Sequence, residues 1–285
     1  MKSRTTVISV SFNSSKIIEQ MVNSIPEDVQ IKVVDNGSSD DISERLHTYK
    51  NCELILNYTN QGFGRACNHG ASQSQTEFLF FLNPDTIVNP DTILELEKFA
   101  DTNPKMGAAN PMIINKNNES RLKTSSIIPM KKIQKPELKK LSEMPVLSGS
   151  ALFVRRSMFK KIGGFDPNIF LYHEDHELCK RLSQQGFSLW HVPTAVAVHI
   201  GGSSSVRSSK LSEWKGYHMA RSRYYVLNKF YPGQAFQKTF WPAILGILNP
   251  INLFSSHRFF KYKGQIKGAV SSRLDGGIFK LHGKD

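Results

Sequence analysis

Apolar positions in the first 115 residues fall into two alternating patterns. Short β-rich runs at 7–12, 31–34, 53–56 and 78–82 have the length of strands. Between them apolar residues follow helical spacing: Ile17, Ile18, Met21, Val22 and Ile25 form one stripe that stops at Pro26. Asp41 and Glu44 have the spacing of a capping pair for a helix through Leu46. A small-residue helix is predicted around 66–71 and another over 92–100. The run Phe78-Leu79-Phe80-Phe81-Leu82 is continuously apolar, as in a strand covered on both faces of a parallel sheet. Strands and helices alternating in this way predict βαβ units and a mostly parallel central sheet, an α/β fold.

The regularity then lapses. Residues 121–143 hold seven Lys or Arg, two prolines and no period, which predicts a mobile basic loop. Order resumes at 146–154, followed by a short helix to 162 and a Gly163-Gly164-Phe165-Asp166 turn. A helix over 174–185 ends at Gly186, a good C-cap, and strands are predicted at 188–192 and 195–199.

A chain of 285 residues suits one α/β unit of roughly 200–250 residues with an appendage. Its 39% hydrophobic and 21% charged content excludes a disordered chain. Cys52, Cys67 and Cys179 are an odd number without metal or redox spacing, so a reducing compartment is expected. With no secretory signal and no apolar run of about 18 residues, the expectation is a cytoplasmic protein without a spanning helix. The net charge of +13 is concentrated late: residues 214–274 contain ten basic residues and no acidic one. Such a segment suits an anionic partner, whether membrane surface, nucleic acid or phosphate.

Polar residues gather where the first four strands end: Asn13, Asp35, Asn60 and Asp85. Any one of them is explained by turn and cap chemistry. Four on the carboxyl rim of an open sheet point to a ligand cleft. Gly62 and Gly64 permit close approach of a phosphate, with Arg65 as counter-charge, although the pattern is neither a P-loop nor a Rossmann fingerprint. Asp85, held rigidly by the strand before it, is placed to keep a hard divalent cation. Glu174 and Glu177 read as helix-dipole compensation facing Arg181. Asp175 does not, because it shares the inward stripe of Cys179 and Leu182, and an inward carboxylate is a candidate general base. His199, ending an apolar strand, is on spacing alone more ordinarily structural than a ligand.

The blocks Val10-Ser11-Phe12-Asn13, Asp35-Asn36-Gly37-Ser38-Ser39-Asp40, Asn60-Gln61-Gly62-Phe63-Gly64-Arg65-Ala66, Asn83-Pro84-Asp85, Ser148-Gly149 with Ala151, Phe165-Asp166, Glu174-Asp175 and His199 with Gly202-Ser203 occur in this order. Together they resemble the GT-A inverting glycosyltransferases of family 2, most of all bacterial rhamnosyltransferases of surface-polysaccharide synthesis, over residues 6–225. The resemblance implies a Rossmann-like GT-A domain at 1–205, with a nucleotide half to 115 and an acceptor half at 116–205. It implies that Ser11, Phe12, Asn13 and Asp35 hold a pyrimidine nucleotide, with Asn60, Gly62 and Asn83 on the same side and Arg65 and Asn68 near the diphosphate. By the same resemblance Asp85 and His199 bind Mg²⁺ or Mn²⁺, Gly149 and Glu174 lie toward sugar or acceptor, and Asp175 is the base. Asn83 replaces the first carboxylate of the family's Asp-x-Asp motif, which weakens the expected metal site.

The implied activity is transfer of rhamnose or a related sugar from a dTDP- or UDP-sugar to a lipid-linked bacterial surface glycan. Residues 206–285 are expected to form a helical, basic-aromatic region docking on the cytoplasmic face of the inner membrane. Aromatic rings there are interleaved with cations, as in His257-Arg258-Phe259-Phe260-Lys261-Tyr262-Lys263. Two other readings compete: a nucleic-acid-binding protein using the same tail, and a non-catalytic nucleotide-sugar-binding homologue. No nucleic-acid module is visible in the first 200 residues, so no nucleic-acid partner is expected.

Overall fold

The strand Phe78–Leu82 is at most 2% exposed at every position, as its unbroken apolar run requires. In the computed structural model, which describes residues 3–120, 122–201 and 208–280, it lies mid-sheet. The elements are β1 (Thr5–Ser11), α1 (Ile18–Asn23), β2 (Gln30–Asn36), α2 (Ser43–Leu46), β3 (Cys52–Asn57), α3 (Phe63–Ser72), β4 (Phe78–Leu82), β5 (Thr86–Val88) and α4 (Thr92–Thr102). There follow β6 (Met106–Asn115), β7 (Ser142–Glu143), β8 (Ala151–Arg155), α5 (Arg156–Lys161), α6 (Glu174–Gln184) and β9 (Ser188–His199). Four helices complete the described chain: α7 (Ser209–Phe230), α8 (Ala235–Leu248), α9 (Pro250–Leu253) and α10 (Ser256–Asp275).

The sheet runs β3-β2-β1-β4-β8-β6-β9-β5, with β7 on β9. The first four strands are parallel, as the βαβ pattern predicts. The second half is mixed: β8 lies antiparallel between β4 and β6, and β6 runs parallel to β9. Alternation along β4 divides the core. Phe78, Phe80 and Leu82 pack on one face with α1, α2 and α4, while Leu79 and Phe81 pack on the other with α3, α5 and α6. The result is three layers, with the strand ends of the first half forming one rim.

Several elements differ from the sequence expectation. β6 goes unread because Gly107, Ala108, Ala109 and Pro111 give it little β-propensity; burial against β8 and β9 makes it a strand. The two strands predicted at 188–199 are one, carrying a register shift where Pro111 and Met112 pair with Val192 and Val196, and Pro193 sits in that irregularity. Asp41 does not form a capping pair with Glu44; its Oδ1 accepts the Ser43 N–H at 2.8 Å and the Ser43 hydroxyl at 2.6 Å. The basic segment is irregular as expected, but it is tied down rather than loose. Ile128 is buried, Lys180 donates to the Pro129 carbonyl, and His191 bonds the Leu138 carbonyl. Arg121, Gly202 and Ser203 lie outside the described residues.

The C-terminal helices are joined to the sheet domain by an apolar cluster of Ile128, Ile169, Val226, Leu227 and Ala235 and by charge. The α6 residue Glu177, read as helix-dipole compensation, is completely buried. It accepts two bonds from Arg181 and a third, at 2.7 Å, from Lys229 of α7. Lys229 also reaches Asp166 Oδ2 at 2.6 Å, and the Tyr225 hydroxyl donates to the same oxygen at 2.9 Å. Burial works to raise the Asp166 pKa, but Lys229 and its other donors outweigh this and hold it below the usual value. Its share of the clamp is therefore present at neutral pH and lost on acidification through that lowered value.

Behind α7 lies α10, in backbone contact: a Cβ on Gly216 would collide with the Lys261 carbonyl, and one on Gly264 with the Glu213 carbonyl. Lys229→Met should lower stability by about 2 kcal/mol, since Glu177 and Asp166 each keep other donors but lose their shared cation. Urea unfolding of the full chain measures it, and an unchanged midpoint would contradict the clamp.

Candidate active site

Parallel packing sets the rim. β1 and β2 end in register, Ser11 opposite Asp35, and the chain leaves β1 through Phe12 and Asn13. Asn13 adopts a positive φ of 53°, accepts from the Ser39 N–H at 2.9 Å, and donates its own N–H to the Ser38 hydroxyl. Ser38 in turn donates its hydroxyl to Asp35. The Asn36 side chain carries the next turn: it donates to Asn60 Oδ1 at 2.9 Å and accepts the Gln61 N–H at 3.1 Å. Gly62 completes the turn at φ 85°, where a Cβ would collide with the Phe170 carbonyl, so no other residue fits.

These loops enclose a cleft of about 750 Å³ lined by Phe12, Asn13, Asn60, Gly62, Asn83 and Asp85 among others. Six residues predicted for one site thus share one concavity. Ser11 lies just beneath, its buried hydroxyl without a partner among the described residues, and Asp35 lies behind Ser38. Arg65 and Asn68 are not brought there. Arg65 donates to the Pro167 carbonyl at 2.7 Å and lies over the Phe279 ring, and both ends of the Asn68 amide bond the Phe165 backbone. Both clasp the 165–167 turn; the cations lining the cleft are Lys16 and Lys215.

Sequence reasoning also passed over Asp40. It accepts the Ser15 N–H at 2.9 Å, lines the cleft and buries an Oδ1 without a partner among the described residues. Its place in the Asp35-to-Asp40 block was the available signal.

At the end of β4 the chain turns through Asn83-Pro84-Asp85 into β5, which pairs antiparallel with β9 and sets Thr86 opposite His199. Asp85 Oδ1 and His199 Nε2 meet at 3.1 Å. The hydrogen bond to Asp85 raises the His199 pKa against the opposing effect of burial. A carboxylate oxygen and an imidazole nitrogen converging at a cleft edge suit Mg²⁺ or Mn²⁺ whose shell is completed by phosphate oxygens. Among the described residues no group of three or more His, Cys, Asp or Glu could hold a metal ion; Asp85 and His199 are a pair.

The second chemical group stands at the start of α6. Tyr172 and His173 have φ of 71° and 65°, a left-handed pair that aims the first helical turn inward. Asp175 is 9% exposed; its Oδ2 accepts the Gly149 N–H at 3.1 Å and an ion pair from Lys123, and its Oδ1 accepts the His176 N–H at 2.8 Å. Burial works to raise its pKa, but Lys123 and these donors hold it below the ordinary carboxylate range. Its neighbour Glu174 goes the other way. Burial and the Asp175 charge push it well up, and its Oε2 has no partner among the described residues. Their surroundings thus push the two adjacent carboxyls apart, Asp175 toward the ionised form and Glu174 toward the neutral one. Asp175, Glu174 and Gly149 are not among the residues lining the cleft; a backbone bridge links them to it, since the Asn83 N–H donates to the Ser150 carbonyl at 3.0 Å, beside the glycine that holds Asp175. The arrangement offers a fixed carboxylate on one side of this bridge and, on the other, a carboxylate–imidazole pair that would hold a divalent cation.

A sequence model for "Glycosyl transferase family 2" matches residues 6–163. The chain is 29% identical over 229 residues to the N-acetylglucosaminyl-diphospho-decaprenol L-rhamnosyltransferase of Mycobacterium tuberculosis, covering 68% of this chain and 75% of that one. It is 27% identical over 207 residues to the rhamnosyltransferase WbbL of Escherichia coli K12, covering 65% and 77%. Among solved structures, GalNAc-T7 with UDP, GalNAc and Mn²⁺ superposes with a TM-score of 0.63 at 16% identity, over 95% of this chain and 56% of that one.

Asp85→Asn should lower the His199 pKa by removing the carboxylate that raises it. An NMR titration of the imidazole checks this, and an unshifted titration would contradict the pairing.

Proposed function

The chain belongs to glycosyl transferase family 2 and is a glycosyltransferase of GT-A fold; on that premise we propose that it transfers rhamnose or a related sugar from a dTDP- or UDP-sugar to a growing, lipid-linked bacterial surface glycan. The observation carrying this reading is the link between the buried Asp175 and the Asp85–His199 pair through the short Asn83–Ser150–Gly149 bridge. The similar mycobacterial and enterobacterial rhamnosyltransferases support the donor and acceptor classes.

The donor's nucleotide lies along the rim of Phe12, Asn13 and Asn60, with its diphosphate toward Asp85. The acceptor hydroxyl enters from the Asp175 side, and Lys123 releases the carboxylate as it does so. Asp175 takes the hydroxyl proton while the oxygen attacks the anomeric carbon from the face opposite the diphosphate. The new glycosidic bond forms as the bond to phosphate breaks, so the configuration inverts. Asp85 and His199 would hold a Mg²⁺ or Mn²⁺ ion, which would supply charge stabilisation for the departing diphosphate. Asn83 lines the cleft with an amide where the Asp-x-Asp pattern has its first carboxylate, so a cation there would have one protein carboxylate fewer.

The reading includes attachment to the cytoplasmic face of the inner membrane. Among the described residues no helix is long and apolar enough to cross a membrane. Yet α8 and α9 turn Trp241, Leu245, Leu248, Ile251, Leu253 and Phe254 outward, each more than half exposed. An apolar patch of this extent marks an interaction surface. Arg258 and Lys261 open the next helix, and cations near anionic headgroups contribute about 1 kcal/mol each. Lys263 and Lys267 contribute less than their sequence position suggests, because both pair with Glu213.

Transfer assays with dTDP- and UDP-sugars test the activity. Asp175→Asn should leave donor binding intact and lower turnover by about 10² or more; near-wild-type turnover would place the base elsewhere. Replacing Trp241, Leu245 and Phe254 by serine should abolish flotation with anionic liposomes while leaving the thermal midpoint unchanged. Equal flotation would remove these helices as the anchor.

A further inference from the structure

The family match stops at residue 163, yet one wall of the cleft comes from much farther along the chain. Leu211, Trp214 and Lys215 of α7 line it, at positions that share one helix face. Gly216 is buried on the opposite side against α10, so α10 backs the helix while its front meets the cleft. The position of α7 is closely set. The Ser222 hydroxyl donates to the carbonyl of Leu171, itself a cleft residue, and Lys229 is held by Asp166 and Glu177.

We propose that α7 closes the donor site: the Lys215 ammonium takes a phosphate oxygen of the nucleoside diphosphate, and the Trp214 indole is the apolar surface against which the donor packs. The inference rests on the donor-site reading above and extends it to residues that the family motifs do not cover.

Charge supports it first. The donor is a dianion, the cleft presents the carboxylates of Asp40 and Asp85, and among the described residues Lys16 and Lys215 are the cations lining it. Arg65, the cation that the motifs suggest, is turned to the 165–167 turn. Shape supports it second. Trp214 is 37% exposed at the cleft, edge-to-face with Phe170 at 5.7 Å and against His218 at 4.5 Å. Phe170 accepts the Phe63 N–H at 2.9 Å beside Gly62, so the indole stands on the segment that shapes the opposite turn. An indole fixed on one edge and open on the other offers a rigid face to a ring at little entropic cost.

The test uses the full chain with UDP and dTDP, in the presence and absence of Mn²⁺. Calorimetry should show Lys215→Met weakening nucleoside diphosphate binding by about tenfold or more, the scale of a lost charged hydrogen bond, with Lys215→Arg restoring most of it. Tryptophan emission should change saturably on binding and lose that change in Trp214→Phe, all variants keeping the wild-type thermal midpoint. Full affinity in Lys215→Met together with a retained signal in Trp214→Phe overturns the inference and leaves the donor site standing. Absence of nucleotide binding by the wild type, with and without Mn²⁺, overturns the donor site and this inference together.

Discussion

The antiparallel pairing of β8 on β4 is the constraint from which the site follows. Leu82 lies opposite Ala151, so the polar turn leaving one strand meets the polar turn entering the other. Asn83 is thereby bonded to Ser150, Gly149 is placed to hold Asp175, and Asp85 is delivered to the edge where β9 ends in His199. A parallel strand at this position would carry its carboxyl end, not its amino end, to the rim, and Ser148 and Gly149 would be at the far side of the sheet. The interior Phe78, Phe80, Phe81 and Phe153 stabilise the pairing, each 0% exposed, with Phe78 and Phe153 stacked 4.9 Å apart. An apolar pairing in the core therefore positions the polar turns at the rim.

A second constraint governs what covers that site. Charge buried at Glu177 and Asp166 is met within the sheet domain by Arg181 and Asn168, and from α7 by Lys229 and Tyr225. Buried carboxylates left without such donors would cost several kcal/mol, so the sheet domain and α7 depend on each other. The same helix lines the cleft with one face and receives α10 on another, while α8 and α9 turn their apolar residues outward. On the proposed reading, a surface that meets lipid is thus one helix layer away from the wall that meets the donor. That proximity suits an enzyme whose acceptor is anchored in the same surface.

Much of this was legible in the residues themselves. The continuous run at 78–82 announced a doubly covered strand, and the stripe of Asp175, Cys179 and Leu182 announced an inward carboxylate. His199 was harder: spacing alone favoured a structural role, and only the motif order linked it to Asp85, a pairing made by β5 and β9. What stayed hidden depended on partners distant in sequence. Glu177 has the spacing of a surface residue because its burying helix lies some fifty positions later. Lys123 sits in a segment without period, so nothing local reveals that it pairs with Asp175. Arg65 and Asn68 show a different limit: a motif gives a residue's presence but not the direction of its side chain, and here both turn to the 165–167 turn.

The most direct measurement of the central claim is a crystal structure with an intact nucleoside diphosphate sugar bound. The account predicts the base beside Phe12 and Asn13, the diphosphate toward Asp85 and His199, and the anomeric carbon facing the Asp175 carboxylate with the acceptor side open. A donor bound outside this cleft, or one whose anomeric carbon faces away from Asp175, would contradict it.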